Sequence, residues 1–415
     1  MMNNPELLAP AGGMRQLQAA LRFGADAVYL GLQSYSLREH AGNFTADGLR
    51  EAVRYAHARG KRVYVALNML PADAELPGLL AAAREALAAG ADAAIVADVG
   101  VVAMLRARLP ELPLHLSTQA NTLNSEAAVF WHAQGVARVV LGREMTLAQI
   151  VAMRAAVPQT LALEAFVHGA MCVSYSGRCL LSAALTGRSA NRGACAQPCR
   201  WTYTLVEAGR RDQPLTATEE AGGTALLSAG DLCMLDHLPA LCAAGLASLK
   251  IEGRMKGEYY VATVVGAYRR ALDACAANPA AYALDVPLRA ALRAELEKAS
   301  HRRFDTGFYF GAPERPGQAE GYAQRAEYVG DVLARADGAP QALVEVKNRF
   351  FAGDALEAMT PRGPVPFTLR RIVLADTGQE VPSIPRPGTR VLLDVPEGVA
   401  AGDLLRGPCR NHAGA

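Results

Sequence analysis

The chain has 415 residues, of which 51% are hydrophobic and 20% are charged, and its formal net charge at pH 7 is +2. This composition indicates a globular protein with two domains or with one large barrel and additions, and it excludes a strongly basic surface over the whole molecule. The first residues, MMNNPELLAPAGG, lack the features of a secretory signal, and no uncharged apolar run of about 18 residues occurs. We therefore expect a cytoplasmic protein with no membrane partner.

Short apolar segments alternate with Ala- and Leu-rich amphipathic segments through the first two thirds of the chain. Near-continuous apolar strands joined by helices are typical of a parallel sheet that helices cover on its outside. Eight such units predict a closed (β/α)8 barrel of the TIM type. The predicted strands begin near Glu6, Asp26, Arg62, Asp92, Leu114, Ala137, Leu161 and Leu246.

One unit is much longer than the others, because roughly 75 residues separate the seventh and eighth predicted strands. This insertion, about residues 170–245, opens with four cysteines at the spacing C-x6-C-x15-C-x3-C. In such a barrel, the segments that follow the strands gather on one face, where active sites form. The four cysteines are therefore expected on the functional face.

The pattern changes after about residue 320. Segments within 321–415 alternate apolar and polar residues, and the turn sequences DGAP, FAGD, PRGP and DTGQE separate them. This alternation predicts a small antiparallel β-barrel or sandwich, and we expect the β-barrel. We divide the chain into a barrel over 1–320 and an accessory domain over 321–415.

The cysteine cluster indicates a metal site, because grouped cysteines in a reducing compartment bind metal more often than they form disulfides. Four soft thiolates suit either a structural zinc ion or an iron–sulfur cluster, and the spacing does not choose between them. Cys233 is a weaker candidate ligand. The four predicted ligands are Cys172, Cys179, Cys195 and Cys199.

Ionisable side chains fall at the predicted carboxyl ends of the sixth, seventh and eighth strands. Any single one could simply form an ion pair, but several on one face indicate a site, because unpaired charges are costly to bury. They are Arg143, Glu164, His168, Lys250, Glu252 and Arg254.

The run EAFVHGAMCVSYSGRCLLS, from residue 164 to 182, closely resembles the signature of peptidase family U32, the collagenase-like proteases. The motifs LLAPAG, GADAVYLG, STQAN, GACAQPCR and KIEGRMK are also similar to that family. VEVKNRFFAGDALEAMTPRG resembles the accessory domain of its branch of tRNA uridine-hydroxylation proteins. The resemblance covers nearly the full chain.

The resemblance implies an oxygen-sensitive [4Fe–4S] cluster on Cys172, Cys179, Cys195 and Cys199, with Cys233 as an alternative to Cys199. It implies hydroxylation of wobble uridine in tRNA to 5-hydroxyuridine, or of a cytidine in ribosomal RNA. The RNA branch depends on prephenate, which is thought to supply the hydroxyl group. Iron–sulfur assembly machinery is an implied partner.

We assign roles to the strand-end residues on this basis. Arginine and lysine bind carboxylates, so Arg143, Lys250 and Arg254, with Glu252 beside them, are predicted to bind the co-substrate. Glu164 and His168 are predicted to move protons.

Two further interpretations stay open, a peptidase and a non-catalytic RNA-binding or assembly factor. A serine peptidase would need a nucleophile and a base, which Ser174 or Ser176 near His168 would have to provide. The sequence, however, contains neither a G-x-S-x-G nor an H-E-x-x-H motif. A fully thiolate-ligated metal leaves no open position for hydrolysis.

The accessory domain is predicted to position a tRNA anticodon stem-loop. Lys347, Arg349, Arg362 and Arg371, with an exposed aromatic residue at Phe350, would contact phosphates and stack a base. An enzyme that modifies a base needs that base to be unstacked from its neighbours. The bases of a single-stranded loop are already accessible in this way. The alternative is a set of solvated charges around a hairpin.

Overall fold

The computed structural model describes residues 4–36, 42–171, 174, 177–190, 193–201, 204–205, 215–216, 230–311, 322–336, 338–384 and 386–410. Its first twelve strands are β1 Glu6–Ala11, β2 Ala27–Gly31, β3 Arg62–Ala66, β4 Ala93–Val96, β5 Leu114–Leu116, β6 Arg138–Val140, β7 Ala162–Ala170, β8 Thr204–Leu205, β9 Leu215–Thr216, β10 Asp231–Cys233, β11 Ser248–Ile251 and β12 Phe304–Asp305.

Eight of these strands form the predicted closed parallel barrel. β1 to β7 pair in chain order, and β11 closes the circle because it pairs in parallel with both β7 and β1. The sequence AVYLG of β2 is buried at every position, as is AAIV of β4. Alternate side chains of such strands point into the barrel interior and out toward the surrounding helices. Both environments are apolar, which explains the continuous apolar character of the strands.

The helices end where the sequence predicts. Gly60 and Gly90, in the predicted helix-to-strand turns, have φ angles of +66° and +83°, a left-handed conformation that favours glycine. The side chains of Thr45 and Asp98 accept hydrogen bonds from backbone N–H groups in the first turns of two helices. The helices are α1 Met14–Arg22, α2 Ala46–His57, α3 Leu76–Ala88, α4 Val99–Arg108, α5 Ser125–Ala133, α6 Leu147–Ala156, α7 Leu181–Thr186, α8 Leu238–Ala243, α9 Glu258–Ala277, α10 Pro279–Leu284 and α11 Val286–Leu296.

Even α9, with 20 residues the longest described helix, is not apolar enough to cross a membrane, and neither is any other helix in the described ranges.

Two short strands near the insertion are not predicted by the sequence. β10 runs antiparallel to the end of β7, and β12 pairs in parallel with β10. β10 places Cys233 opposite His168. The chain therefore returns from the insertion as a strand that extends the barrel sheet beyond β7.

The C-terminal strands are β13 Ala326–Ala334, β14 Gln341–Val346, β15 Phe350–Phe351, β16 Ala355–Thr360, β17 Gly363–Thr368, β18 Ile372–Leu374, β19 Glu380–Val381, β20 Ser383–Ile384, β21 Arg390–Asp394 and β22 Leu404–Pro408. As predicted, they pair antiparallel, eight of them in the order β17-β16-β22-β13-β14-β21-β18-β19, with β15 and β20 as a separate ribbon.

The expectation that Phe350 is exposed is wrong. Phe350 pairs with Ile384 in the ribbon, and both side chains are buried in the apolar core of the C-terminal domain. The next residue, Phe351, is half-buried, because successive side chains of a strand point to opposite faces.

Buried ion pairs join the C-terminal domain to the barrel. The guanidinium group of Arg406 is fully buried, and it contacts Glu295 of α11 at 2.6 Å and Glu357 of β16 at 2.7 Å. Arg22, at the end of α1, contacts the buried carboxylate of Asp403 at 2.6 Å. The domain thus packs on the outer helices of the barrel.

Candidate functional site

The barrel mouth holds a pocket lined by side chains at the carboxyl ends of the strands. Three of them are the cations Arg143, Lys250 and Arg254, and Glu252 is the acidic one. The enclosed cavity between these side chains is about 50 Å³, and the mouth around it is open to solvent. A small molecule, or one group of a larger molecule, fits this space, whereas a folded polymer does not. The structure therefore brings together the four residues predicted to bind the co-substrate.

Lys250 is, with Arg254, one of the two fully buried cations of the pocket. Its Nζ donates a hydrogen bond to Oε1 of Glu164 at 2.9 Å, and it lies 4.4 Å from the ring centroid of Tyr29. The side chain is buried, so its charge needs a partner, and Glu164 provides one. Glu164 fixes the direction in which Lys250 faces the pocket.

A column of buried charges continues below Lys250 through the barrel interior. Arg138 donates to Oε2 of Glu164 at 2.9 Å and to Oε1 of Glu6 at 2.7 Å. The hydroxyl of Tyr64 donates to the other oxygen of Glu6 at 2.8 Å. Two carboxylates and two cations thus alternate from β1 across β6 and β7 to β11.

The column determines the protonation of Glu164. Burial alone would raise the pKa of this carboxyl group, but Lys250 and Arg138 outweigh it and lower the pKa to about 2. Both oxygens accept hydrogen bonds from cations, and Glu164 lies beneath the pocket rather than in its lining. The arrangement makes Glu164 a residue that positions Lys250, and its predicted role in proton transfer stays a prediction.

Arg143 lies at the rim beside β7. It donates to the backbone oxygen of Ala170 at 2.7 Å, and its guanidinium carbon lies 3.9 Å from the ring centroid of Phe166. The Nε atom is buried and has no hydrogen-bond partner among the described residues. Arg143 is thus held in place at the rim of the pocket.

Two glycines make room for Arg254. A Cβ atom on Gly31 would lie 2.3 Å from a guanidinium nitrogen of Arg254, and one on Gly12 would lie 2.3 Å from its backbone oxygen. The guanidinium group also donates to the hydroxyl of Ser36 at 3.1 Å. Glycine is therefore required in the motifs PAGG and YLGL for this arginine to reach the mouth.

His168 lies outside the pocket lining. Its ring contacts Tyr260 and Tyr268 of α9, the helix that covers β11, and Phe304, with centroid distances of 6.2, 5.4 and 5.5 Å. Burial lowers the pKa of His168 to about 4, and Nδ1 has no hydrogen-bond partner among the described residues. His168 is therefore neutral at pH 7, and the proton transfer predicted for it is untested.

Comparison with known proteins agrees with this architecture. Residues 12–319 match the model of peptidase family U32, and residues 324–406 match that of the peptidase family U32 C-terminal domain. The chain belongs to peptidase family U32.

Relatives of this U32 chain include proteins that are named for RNA hydroxylation. It is 36% identical over 439 residues to tRNA hydroxylation protein P of Escherichia coli strain K12, covering 95% of each chain. It is 39% identical over 363 residues to tRNA hydroxylation protein P1 of Bacillus subtilis strain 168, covering 86% of this chain and 84% of that one. The 23S rRNA 5-hydroxycytidine C2501 synthase of E. coli K12 is 41% identical over 269 residues, covering 65% of this chain and 39% of that protein.

The predicted metal ligands of the U32 chain are described only in part. Cys172 lies outside the described residues, Cys195 is exposed, and Cys179 and Cys199 are half-buried. In the described ranges, no three or more His, Cys, Asp or Glu side chains are placed to hold a metal ion. The three described thiols therefore do not form a metal site by themselves, and the choice between zinc and iron stays open.

Cys233, the alternative ligand, is part of the barrel core. Burial raises the pKa of its thiol, and the hydroxyl of Tyr268 donates to Sγ at 3.9 Å.

The four basic residues predicted to bind RNA fall into two pairs. Lys347 contacts Asp331 at 3.1 Å and also pairs with Glu345, and Arg371 contacts Asp394 at 3.1 Å. Arg349 and Arg362 are exposed, and Arg349 lies 5.9 Å from the ring centroid of Phe351. Residues 322–410 contain eleven Lys or Arg and eleven Asp or Glu residues, so the domain has no excess of positive charge.

Several residues of the site are not predicted from the sequence. Tyr29 and Asn68 line the pocket, and Arg138 links the two buried carboxylates below it. The available signal is position: Glu6 and Arg138 are charged residues that open otherwise apolar strands, and Asn68 lies two residues after the end of β3.

Proposed function

We propose that this chain hydroxylates C5 of the wobble uridine of tRNA and uses prephenate, a dicarboxylate, as the co-substrate in the barrel-mouth pocket. The observation that carries the proposal is the convergence of Arg143, Lys250 and Arg254 on that pocket. The names of the two tRNA hydroxylation proteins, which match most of this chain, support RNA as the substrate.

The charge of the mouth favours an anionic ligand. Glu164 balances Lys250, and Glu252 offsets one of the two arginines that line the pocket. Among the described side chains at the mouth, the formal charges therefore leave one positive charge in excess, and a carboxylate group of the ligand would neutralise it. Arginine is well suited to this role because its planar group binds carboxylates through two hydrogen bonds.

The surroundings of Lys250 suit a ligand that carries a ring as well as carboxylates. Tyr29 and Phe166 form aromatic walls of the pocket, and Asn68 and Ser117 add polar groups next to them. The buried Oδ1 of Asn68 has no hydrogen-bond partner among the described residues, while its amide nitrogen donates to Ser117 at 3.1 Å. A hydroxyl or protonated group of the ligand would satisfy this acceptor.

The reaction constrains the co-substrate. Replacement of the C5 hydrogen by a hydroxyl group oxidises the base by two electrons. A co-substrate that transfers its hydroxyl group and takes up the hydrogen accepts those electrons, so the exchange balances. In this reaction the residues of the mouth bind the carboxylates and orient the hydroxyl group toward the base.

We also propose that Cys172, Cys179, Cys195 and Cys199 bind a [4Fe–4S] cluster. Four soft thiolates are the ligand set that such a cluster uses, and the segment that contains them follows β7 at the mouth. Anaerobically purified protein should contain close to four iron and four sulfide per chain. Cys195→Ser should lose most of the iron, whereas Cys242→Ser, on α8, should retain it. A colourless protein with one zinc per chain would contradict the assignment.

Mass spectrometry of nucleosides tests the function. A strain that lacks the gene should lose 5-hydroxyuridine and its derivatives from tRNA, and wild-type protein should restore them. Arg143→Gln should fail to restore them, whereas Arg371→Gln, a surface arginine of the accessory domain, should succeed. Intact tRNA with hydroxycytidine missing from ribosomal RNA would assign the chain to the ribosomal reaction instead.

A further inference from the structure

The segment after β7 carries only positive charge. Residues 171–206 contain four arginines and no lysine, aspartate or glutamate. The whole chain has 42 basic and 40 acidic residues, so a stretch of this length would ordinarily contain about as many acidic as basic side chains. The sequence that follows β7 therefore carries an excess of positive charge that the overall composition hides.

The described part of this segment has a defined structure. α7 packs against a short 3-10 turn, Pro198–Arg200. The hydroxyl of Ser182, which is fully buried, accepts a hydrogen bond from the backbone N–H of Ala196 at 3.0 Å and joins the two elements. This small unit holds its outer side chains in fixed relative positions.

Those outer side chains combine apolar and basic groups. Leu180, Leu185 and Trp201 are 71%, 51% and 43% exposed. The side chains of Arg178 and Arg188, in the same stretch of sequence, are also exposed. We refer to Arg178, Leu180, Leu185, Arg188 and Trp201 as the arginine platform.

The arginine platform begins at the edge of the pocket. Gly177, directly before Arg178, has a φ angle of +72°, and a Cβ atom there would lie 2.2 Å from the backbone oxygen of Gln119. Gln119 is a pocket-lining residue. A molecule bound on the platform therefore has the pocket next to it.

We infer that the arginine platform is the surface on which the tRNA anticodon loop docks, an inference that rests on the proposed function. Arg178 and Arg188 contact phosphates, and Trp201 stacks on an unpaired base, while the neighbouring base enters the mouth. Exclusive positive charge with an exposed indole matches a single-stranded polyanion whose bases are unstacked. A protein partner with acidic side chains would account for the arginines. It would not account for the exposed indole, because it has no base to stack on the ring.

The comparison with the accessory domain strengthens this inference. That domain has equal numbers of acidic and basic residues, and two of its candidate RNA contacts already pair with carboxylates. The arginine platform has no acidic residue in the sequence around it. It should therefore contribute more to RNA affinity than the accessory domain does.

The test is binding of an unmodified tRNA transcript to the full-length protein, measured by fluorescence anisotropy over a range of KCl concentrations. The double variant Arg178→Gln, Arg188→Gln should bind more weakly, and the slope of log affinity against log salt should fall by about 1.4 because two phosphate contacts are lost. Its control, Arg84→Gln with Arg108→Gln on the exposed sides of α3 and α4, removes the same charge and should leave the slope unchanged.

Trp201→Ala tests stacking separately. It should weaken binding by about 5-fold to 100-fold, whereas Phe130→Ala, which removes an exposed aromatic ring of α5, should change affinity by less than about twofold. Thermal unfolding identifies any variant that has lost its structure.

The outcomes separate this inference from the proposed function. Platform variants that retain wild-type affinity and salt dependence, in a protein that does hydroxylate tRNA in cells, overturn the inference alone. Variants that bind tRNA normally but lose iron also overturn it and assign the platform to a protein that delivers the cluster. Loss of tRNA affinity in the variants supports the platform. If deletion of the gene leaves tRNA hydroxylation intact, the proposed function is refuted, but the platform is still supported as a tRNA-binding surface.

Discussion

The barrel mouth and the accessory domain both contain lysine and arginine side chains, but these differ in burial and in their ion pairs. At the mouth, Arg143, Lys250 and Arg254 are largely withdrawn from solvent and converge on one pocket. In the accessory domain, Lys347 and Arg371 lie nearer the surface, and each pairs with carboxylates of its own domain. Surface ion pairs contribute little to stability, whereas removing one partner of a buried ion pair is strongly destabilising.

The difference shows how the barrel keeps cations at its mouth. The column from Glu6 through Arg138 and Glu164 neutralises the charges inside the barrel, so the excess positive charge is left at the pocket. In the accessory domain the charges of Lys347 and Arg371 are cancelled locally by their carboxylate partners. The chemistry is therefore expected in the barrel, and the accessory domain should assist it.

The largest effect should follow from breaking the column. Glu164→Gln leaves Arg138 and Lys250 without their shared carboxylate, and the free energy of unfolding should fall by about 3–5 kcal/mol. Asp394→Asn removes the partner of Arg371 at the surface and should cost no more than about 1 kcal/mol. Urea denaturation monitored by circular dichroism measures both. Equal losses in the two variants would show that burial does not distinguish the two regions.

A second effect should appear in the pH dependence of stability. The pKa of His168 is lowered by burial from 6.5 to about 4, so the unfolded chain binds a proton that the folded chain excludes. Stability should therefore be constant above pH 6.5 and fall as the pH drops from 6.5 to 4, with His168 contributing roughly 3 kcal/mol. Burial, with Arg138 next in importance, also lowers the pKa of His115, to about 3.

His168→Phe tests this contribution, because phenylalanine fits among the aromatic neighbours and does not titrate. In this variant the free energy of unfolding should no longer fall between pH 6.5 and 4 by the amount due to His168, and the part due to His115 should remain. An unchanged dependence of the free energy of unfolding on pH would contradict the lowered pKa of His168. If the folded variant also stops modifying tRNA, His168 takes part in proton transfer after all.

The smallest effects are expected in the accessory domain. Lys347→Gln and Arg371→Gln remove charges that carboxylates already compensate, and tRNA affinity should change by less than about twofold. Arg349→Gln with Arg362→Gln removes two exposed charges that have no ion pair among the described residues, and should lower the salt dependence of binding measurably. A larger effect from the first two substitutions would mean that RNA displaces their carboxylate partners.

Much of the fold can be predicted from the sequence because its signals are local. Eight apolar runs and the glycines after the helices define the barrel, and a period of two defines the accessory strands. β10 and β12 cannot be predicted in this way, because they have three and two residues and depend on pairing with distant segments. Phe350 and Phe351 illustrate the same limit: the alternation is clear, but which of the two faces the core depends on the partner strand.

The site is predictable in its members but not in its arrangement. The strand ends identify Arg143, Lys250, Glu252 and Arg254, which do line the pocket. The sequence does not reveal that Glu164 lies below them with both oxygens occupied, because that depends on its register against β6 and β11. It likewise does not reveal that His168 packs against α9 instead of lining the mouth.

Binding of prephenate to anaerobically purified protein, measured by calorimetry, tests the central claim most directly. Wild-type protein should bind one molecule per chain, and Arg143→Gln should bind about 10-fold to 100-fold more weakly, because a charged hydrogen bond to the carboxylate is lost. Arg371→Gln should bind like the wild type. Undetectable binding to the wild-type protein, or equal affinity in Arg143→Gln, would contradict the claim that the mouth cations hold a carboxylate co-substrate.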